Sequence, residues 1–355
     1  MMKKIFLAAF VLLASTMPTN AQTKNIDLDL FRFSITYRSI ATQPVNPLFF
    51  TYSVFVNSTK PTERIVSLIE IEDATYIEGQ QRVNNNENAD IAVVINLGNL
   101  VVINSNVNER REESKNKEGQ VTSVSYYYRV EANYTFESTY KIMQGNKTLI
   151  SGVGTAPTST QTYKSQEYGN RKDAMNFWNN NKDVLISEFA TGLSRQIAAS
   201  VTSRASSLFG FPVVRTTDVL QITDEKKHLE NERFRTNTTL LKEKLQAVTP
   251  NEKLIKDAGL EEIIEYYKSI PGKYVDTQLK ADIRLRFAAY FNLCKIYYYL
   301  EDIDNVNKYA DLLIKNGHDT KDGEKFKKSA EELKTMLNRT RIKTRHFNPE
   351  KYFLE

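Results

Sequence analysis

The sequence predicts an α+β fold: an antiparallel sheet with helices on one face, followed by an all-α domain. Three observations support this prediction. Residues 22–222 alternate apolar and polar positions with the period of strands, whereas apolar residues after position 223 recur every three to four positions. The charged fraction rises from about a fifth to more than a third at the same place. With 355 residues, 41% of them hydrophobic, the chain is long enough for two domains with cores.

The N-terminus has the layout of a secretory signal peptide. Two lysines precede a run of ten apolar residues, Ile5 to Ala14, and the small residue Ala21 stands before Gln22. This run is too short to span a hydrocarbon core of ~30 Å. We therefore expect a signal peptide over residues 1–21 and export to the periplasm, the outer membrane or the cell surface; an uncleaved anchor is the alternative. No later run is apolar enough to predict a transmembrane span.

Cysteine usage and charge exclude several classes. The single cysteine, Cys294, lies far from the signal segment, so neither a lipoprotein anchor nor an intramolecular disulfide is expected. Its apolar helical surroundings predict a buried thiol rather than a catalytic one. The net charge is +5, or +3 without the two lysines of the signal, which is too small to indicate nucleic-acid binding.

The first domain, residues 22–222, begins with two predicted strands, Ile26–Tyr37 and Phe50–Val56. The spacing over Thr59–Glu72 then favours a helix, with a strand as the alternative. The strongest local signal is a long antiparallel hairpin at about residues 91–142, whose two alternating runs flank the charged segment Glu109–Gln120.

Alternation along the second run of the hairpin also assigns faces to three tyrosines. It places Tyr126 and Tyr128 on the apolar face, where we expect core packing, and it turns Tyr127 outward. A further strand is predicted at Thr148–Thr155, and the polar residues 156–172 are predicted to form a loop. A helix beginning near Asp183 and a closing strand at Phe211–Ile222 complete this domain.

This layout resembles the small α/β modules of bacterial envelope assembly proteins. The similarity lies in a GxxxV…NADIAVVI pattern that enters the hairpin, and it extends over about residues 50–222. The residues that carry it are Gly79, Val83, Asn88, Ala89 and Asp90. Such modules share no chemistry, so the resemblance implies a fold and a compartment rather than an activity.

The second domain, residues 223–348, is predicted to be helical, with a tail at 349–355. Its stretch FNLCKIYYYLEDIDNVNKYADLLIK resembles a tetratricopeptide repeat over about residues 287–337. Glu301 stands where the repeat has its turn glycine, and His318 stands where proline is frequent. The resemblance implies a helical pair that binds or scaffolds a partner protein; an ordinary helical hairpin is the alternative.

Two segments carry the residues that we expect to contact partners, namely the hairpin tip and the basic stretch before the tail. As an extended strand, that basic stretch would present four cations on one side to an acidic partner, anionic lipid or glycan. A solvated tail or helix end is the alternative. The candidate residues are Arg110, Arg111, Lys115, Lys117, Tyr127, Arg339, Arg341, Lys343 and Arg345.

The sequence carries no recognisable catalytic or metal motif. His228, His318 and His346 are far apart along the chain, Ser138–Lys141 lacks partner motifs, and phosphate-binding glycine loops are missing. We therefore expect no cofactor, no metal and no enzymatic activity. The predicted function is a non-enzymatic scaffold in the cell envelope. An envelope hydrolase with dispersed carboxylates and a surface adhesin or fibre subunit remain alternatives.

Overall fold

The computed structural model describes residues 26–43, 51–84, 89–156, 158–224 and 228–352. The predicted signal peptide lies outside these residues. Within them, no helix has the length and apolarity needed to cross a membrane. The chain forms two compact units, each assembled from two separated segments. Among the described residues, those within 26–36 and 215–334 form the helical unit, and those within 37–214 and 335–352 form the sheet unit.

The described residues form strands mainly in the first part of the chain and helices mainly in the last part. The strands are β1 (Leu28–Arg38), β2 (Thr51–Ser58), β3 (Gln81–Arg82), β4 (Ile91–Lys115), β5 (Val121–Gln144), β6 (Lys147–Thr155), β7 (Gln161–Lys164) and β8 (Val213–Thr223). The helices are α1 (Lys60–Glu63), α2 (Leu68–Asp73), α3 (Arg171–Phe209), α4 (Asn231–Gln246), α5 (Ala258–Lys273), α6 (Lys280–Leu300), α7 (Ile303–Asn316), α8 (Thr320–Thr340) and α9 (Pro349–Tyr352).

The predicted α+β class is confirmed, but the main sheet is mixed rather than antiparallel. Its strand order is β3-β2-β4-β5-β6, with β7 also paired to β5. β2 runs parallel to β3 and β4, whereas β5 runs antiparallel to β4, β6 and β7. The cause is the connection from β2 through α1 and α2 to β4, because a crossover of this kind returns the chain in the same direction. The predicted closing strand, β8, pairs with β1 in a separate two-stranded sheet.

Helix α3 covers the apolar face of the main sheet. Its buried residues pack with those of β2, β4, β5 and α2 in one core that includes Val54, Ile71, Val93, Ile142 and Val201. The helix begins at Arg171, earlier than the Asp183 predicted, because its first turns also bury apolar residues at helical spacing, Ala174 and Trp178, which pack against β5. The Asn170 side chain caps this start by accepting a hydrogen bond from the Asp173 amide at 2.9 Å.

Two further sequence predictions need correction. The residues predicted as one helix at Thr59–Glu72 form the short helices α1 and α2, and the Ser67 side chain caps the second by accepting from the Glu70 amide. The segment predicted as a loop at 156–172 contains β7, which pairs with β5 along Glu131–Tyr134.

The residues that carry the envelope-module resemblance have local structural roles. Gly79 has a φ of +80°, and a Cβ there would lie 2.9 Å from the Cβ of Phe211, so glycine fits both the turn and the close approach. The Asp90 carboxylate accepts hydrogen bonds from the Thr51 amide at 2.9 Å and from its hydroxyl at 2.6 Å. Asn88 lies outside the described residues.

The helical unit places α6 against α7 and against the edge of β8. The buried Asn292 side chain accepts a hydrogen bond from the Gln221 amide at 2.8 Å and donates one to the Gln221 carbonyl at 2.9 Å. It thereby makes the two backbone bonds that a neighbouring strand would make. Glu301 ends α6 with a φ of 61°, the left-handed conformation that glycine prefers, at the position where the sequence resemblance expects a glycine. Cys294 is fully buried, as predicted, and burial raises the pKa of its thiol.

Candidate partner-binding arm

The distal part of the β4–β5 hairpin forms a two-stranded ribbon, which we call the arm and define as residues 104–133. Its pairing runs in register from Asn104 opposite Asn133 to Ser114 opposite Ser123, and after a one-residue shift it ends with Lys115 opposite Val121. At ~3.3 Å per residue, each strand of the arm is about 40 Å long. The Asn116 side chain closes the tip, because its oxygen accepts hydrogen bonds from the amides of Glu118 and Gln120 at 3.2 and 2.8 Å.

The base of the arm is fixed by packing and by backbone hydrogen bonds. Val130 and Ala132 are buried against Ala174 and Trp178 of α3. On the far side of β5, the backbones of Tyr128 and Tyr168 exchange two hydrogen bonds of 2.8 and 2.9 Å. The arm is therefore a rigid extension of the sheet as far as Tyr128.

Beyond this base, the arm exposes strand edges. β2 pairs with β4 along Ile91–Leu97. Among the described residues no strand pairs with that side of β4 from Gly98 to Lys115. Unpaired strand edges carry backbone donors and acceptors that can hydrogen-bond an added strand.

Alternation along the strands divides the five candidate residues of the tip between two faces. Arg110 and Tyr127 lie opposite each other on the face that we call the arginine face. Arg111 and Lys115 belong to the other face, where Arg111 lies opposite Tyr126; we call it the tyrosine face. Lys117 is exposed in the turn. The structure therefore does not gather these cations into one basic patch.

Arg110 is held by a network on the arginine face. Its guanidinium makes two 2.8 Å hydrogen bonds with the Glu167 carboxylate and one of 2.9 Å with Glu112, and it lies 4.6 Å from the ring centre of Tyr127. These bonds raise the pKa of Arg110, and the bond from Arg110 lowers the pKa of Glu167. Tyr127, predicted to face outward, is half-buried beneath this guanidinium.

The charges of the tyrosine face are also paired within the strand. Arg111 contacts Glu113 at 2.7 Å, and Lys115 lies 3.9 Å from the same carboxylate. Residues 109–118 contain four acidic and four basic side chains, so this segment has no net charge. The arm thus exposes a strand edge and side chains of alternating charge, and it does not form a positively charged surface.

The expected core packing of Tyr126 is wrong, whereas Tyr128 is half-buried at the base. Tyr126 is 46% exposed, and its neighbours on the same strand, Val121 and Val124, are 48% and 38% exposed. The apolar pattern continues past the last residue of the arm that α3 contacts, so these side chains meet solvent. The length of the hairpin was the signal that could have identified these residues. Strands of 24 and 25 residues extend beyond the part of the hairpin that one packed helix reaches, because a strand rises about 3.3 Å per residue and a helix only about 1.5 Å.

The basic stretch near the C-terminus is not an extended strand. Arg339 lies in α8 and donates a hydrogen bond to the Ala41 carbonyl at 3.2 Å. Arg341 is exposed with a φ of 55°, and Lys343 is exposed. Arg345 is only 4% exposed and lies 4.6 Å from the ring centre of Tyr37. These four cations therefore do not share one side.

Reactive groups are scattered in the described part of the chain. It contains no cluster of three or more histidine, cysteine or acidic side chains able to hold a metal ion. An open cleft of about 570 Å³ in the helical unit is lined by Asp224, Glu232 and Arg235, together with threonine, asparagine and leucine side chains. Arg235 donates to the Thr223 carbonyl at 2.7 Å, so part of this lining supports the strand end.

Comparison with known proteins gives no family. No protein-family model matches the chain, and no curated protein matches it.

Proposed function

We propose that the protein is an exported, non-enzymatic binding module of the cell envelope that holds partner proteins through the arm. The predicted signal peptide supports export, to the periplasm or to the outer membrane and cell surface without a lipid anchor. The observation that carries the proposal is the side of β4 from Gly98 to Lys115, with which no strand of the described residues pairs, on a ribbon whose base is fixed by α3 and β7.

Recognition through such a ribbon follows from strand chemistry. An added strand gains affinity from main-chain hydrogen bonds, and side chains on alternating faces give selectivity. The exposed Tyr126 and Val124 supply apolar contact on the tyrosine face, where a tyrosine adds area at small entropic cost. The α6–α7 pair, with its resemblance to a tetratricopeptide hairpin, provides a second surface for a partner protein in this proposal.

A fibre subunit or adhesin is the second candidate, and the same unpaired edge favours it. Edges of this kind pair with other chains unless they are blocked, and repeated pairing produces filaments. Polymerisation that rises with protein concentration would distinguish this candidate from a scaffold.

The proposed function is tested by capture from solubilised native envelopes with and without the arm. The arm is shortened by replacing Arg111–Tyr126 with Asn-Gly between the paired residues Arg110 and Tyr127; this pair suits a two-residue turn because the backbone of the next residue, Tyr128, bonds Tyr168 on the other side of β5. We expect the wild-type chain to retain a defined partner and the shortened chain to lose it, while circular dichroism shows unchanged folding. Equal capture by both chains would refute the arm as the binding site.

A further inference from the structure

We propose that the unpaired edge of β4 binds the same edge of a second copy, antiparallel, with Glu112 of each chain opposite the other. This names the partner of the arm and therefore rests on the proposed function. The resulting contact is a symmetric dimer in which two arms form one four-stranded ribbon.

Strand geometry restricts the possible registers. Placing two β4 edges side by side in opposite directions requires a two-fold axis perpendicular to the ribbon. Such an axis keeps the two faces separate, so the tyrosine faces of both copies lie on the same side. Every residue then lies opposite one on its own face, and each register is defined by the residue at the axis.

Charge complementarity selects one register. With Glu112 at the axis, Arg111 lies opposite Glu113 of the second copy and Glu109 opposite its Lys115, which gives four attractive pairs on the tyrosine face. The one like-charged contact is between the two Glu112 side chains. Each of these already accepts a hydrogen bond of 2.9 Å from Arg110 of its own chain. Opposite charges across strands are favourable, and like charges are unfavourable.

Neighbouring registers are worse. With Arg111 at the axis, the two attractive pairs between Arg110 and Glu112 are outnumbered by three like-charged contacts, because Arg111 faces itself and Glu109 faces Glu113 twice. With Glu113 at the axis, it faces itself and Arg111 faces Lys115. With Arg110 at the axis, two attractive pairs between Glu109 and Arg111 remain, but Arg110 faces itself and Val107 faces Glu113. With Ser114 at the axis, Glu113 faces Lys115 in two attractive pairs and no like-charged residues of β4 face each other. The register with Glu112 at the axis is therefore favoured because it has the most attractive pairs, four against at most two in any of these alternatives.

Of the features that prevent strand edges from pairing, this edge has charged side chains and irregularities at its two ends, but it has no proline and no net charge. No proline occurs between Gly98 and Lys115, and the arm segment at 109–118 has no net charge that would repel a second copy. The pairing irregularities of β4 lie at Leu97/Leu100, Val102/Asn104 and Ser114/Lys115, which leaves a regular strand from Asn104 to Ser114.

Two charge reversals test this contact by mixing. In R111E, position 111 becomes acidic and lies opposite Glu113 of the second copy; in E113R, position 113 becomes basic and lies opposite Arg111. Each variant alone turns two attractive pairs into repulsive ones. In a mixed dimer of R111E with E113R, all of these pairs are attractive again, although the charges within each chain remain mismatched.

Sedimentation equilibrium of the full chain gives the dissociation constants. We expect reversible dimers of the wild type, self-association about tenfold weaker for each variant, and recovery of the wild-type affinity in the equimolar mixture. K147E, a charge change at the exposed first residue of β6, should behave as the wild type. A tenfold change corresponds to ~1.4 kcal/mol.

Two outcomes would overturn the inference: a wild-type protein that stays monomeric at its highest soluble concentration, or a mixture that associates no more strongly than the single variants. If the wild type is monomeric but arm shortening still abolishes capture of an envelope partner, the second-copy inference fails and the proposed function stands. If arm shortening leaves capture intact, the proposed function fails.

Discussion

The arm and the C-terminal basic stretch are both rich in alternating cations, yet they have opposite structural roles. In the arm, Arg111 and Lys115 are more than half exposed, and each pairs with the Glu113 carboxylate on its own strand. In the basic stretch, Arg345 and the adjacent Phe347 are buried in the sheet unit. Side chains of the same type are thus available to a partner in one segment and part of the core in the other.

The difference arises from what lies opposite each segment. The buried Arg38 side chain donates hydrogen bonds to the carbonyls of Phe347 at 2.8 Å and Phe211 at 3.1 Å, and its amide donates to the Arg345 carbonyl. No described strand lies opposite the outer side of β4 in the arm. The local pattern of charges therefore does not decide whether a cationic side chain is exposed. That depends on whether a segment distant in sequence packs against it.

The largest expected effect is on the free energy of unfolding, when one aromatic residue of the C-terminal stretch and one of the arm are each replaced by alanine. Phe347→Ala removes a buried ring that packs edge-on against Phe211 at 5.4 Å. It should lower the free energy of unfolding of the sheet unit by about 3–5 kcal/mol in urea titrations. Tyr126→Ala in the arm should change it by less than about 0.5 kcal/mol. Equal effects of the two changes would contradict the contrast.

The next effect concerns the cation that fixes the C-terminal stretch. Arg38→Ala removes two hydrogen bonds from a charged donor and leaves two buried carbonyls without it, so we expect a loss of about 2–4 kcal/mol. The exposed Arg204→Ala on α3 is the matched control and should stay within about 0.5 kcal/mol. A wild-type unfolding curve for Arg38→Ala would show that these bonds do not hold the segment.

A pH titration sharpens the description of the arm. Hydrogen bonds from Arg110 lower the pKa of Glu167 below its ordinary value of 4.5. Because a lowered folded pKa stabilises the ionised form, this contact is complete above about pH 4.5 and is lost as the pH falls through the folded value. NMR titration of the carboxyl carbons should show the pKa of Glu167 rising in Arg110→Leu. An unchanged titration would mean that the network does not persist in solution.

The smallest expected effect on the free energy of unfolding is stabilising, whereas Phe347→Ala and Arg38→Ala are destabilising. Arg341 is exposed and left-handed, a conformation that costs most residues energy but suits glycine. Arg341→Gly should leave the sheet unit as stable as the wild type or more stable by about 0.5 kcal/mol, and should leave capture of an envelope partner unchanged. Loss of capture would restore the C-terminal cations as a binding surface.

The sequence was informative where structure depends on local period. Alternation predicted the β4–β5 hairpin, and the resemblance to a tetratricopeptide repeat implied a helical pair where α6 and α7 lie. It could not show that β2 and β4 are parallel, because strand direction depends on the crossover between them. It also could not show that Arg38 contacts Phe347, which is 309 positions away. The predicted core packing of Tyr126 was wrong for a related reason. The alternation of the sequence shows which face of the strand a residue lies on, but not whether another element covers that face.

The most direct test of which basic segment is available to partners is amide hydrogen exchange of the purified protein, read by mass spectrometry over peptides from both segments. We predict that peptides covering residues 342–347 exchange at the slow rate of the sheet core, and that peptides covering residues 104–115 exchange orders of magnitude faster. Slow exchange throughout the arm in dilute protein, together with rapid exchange at 342–347, would contradict the account.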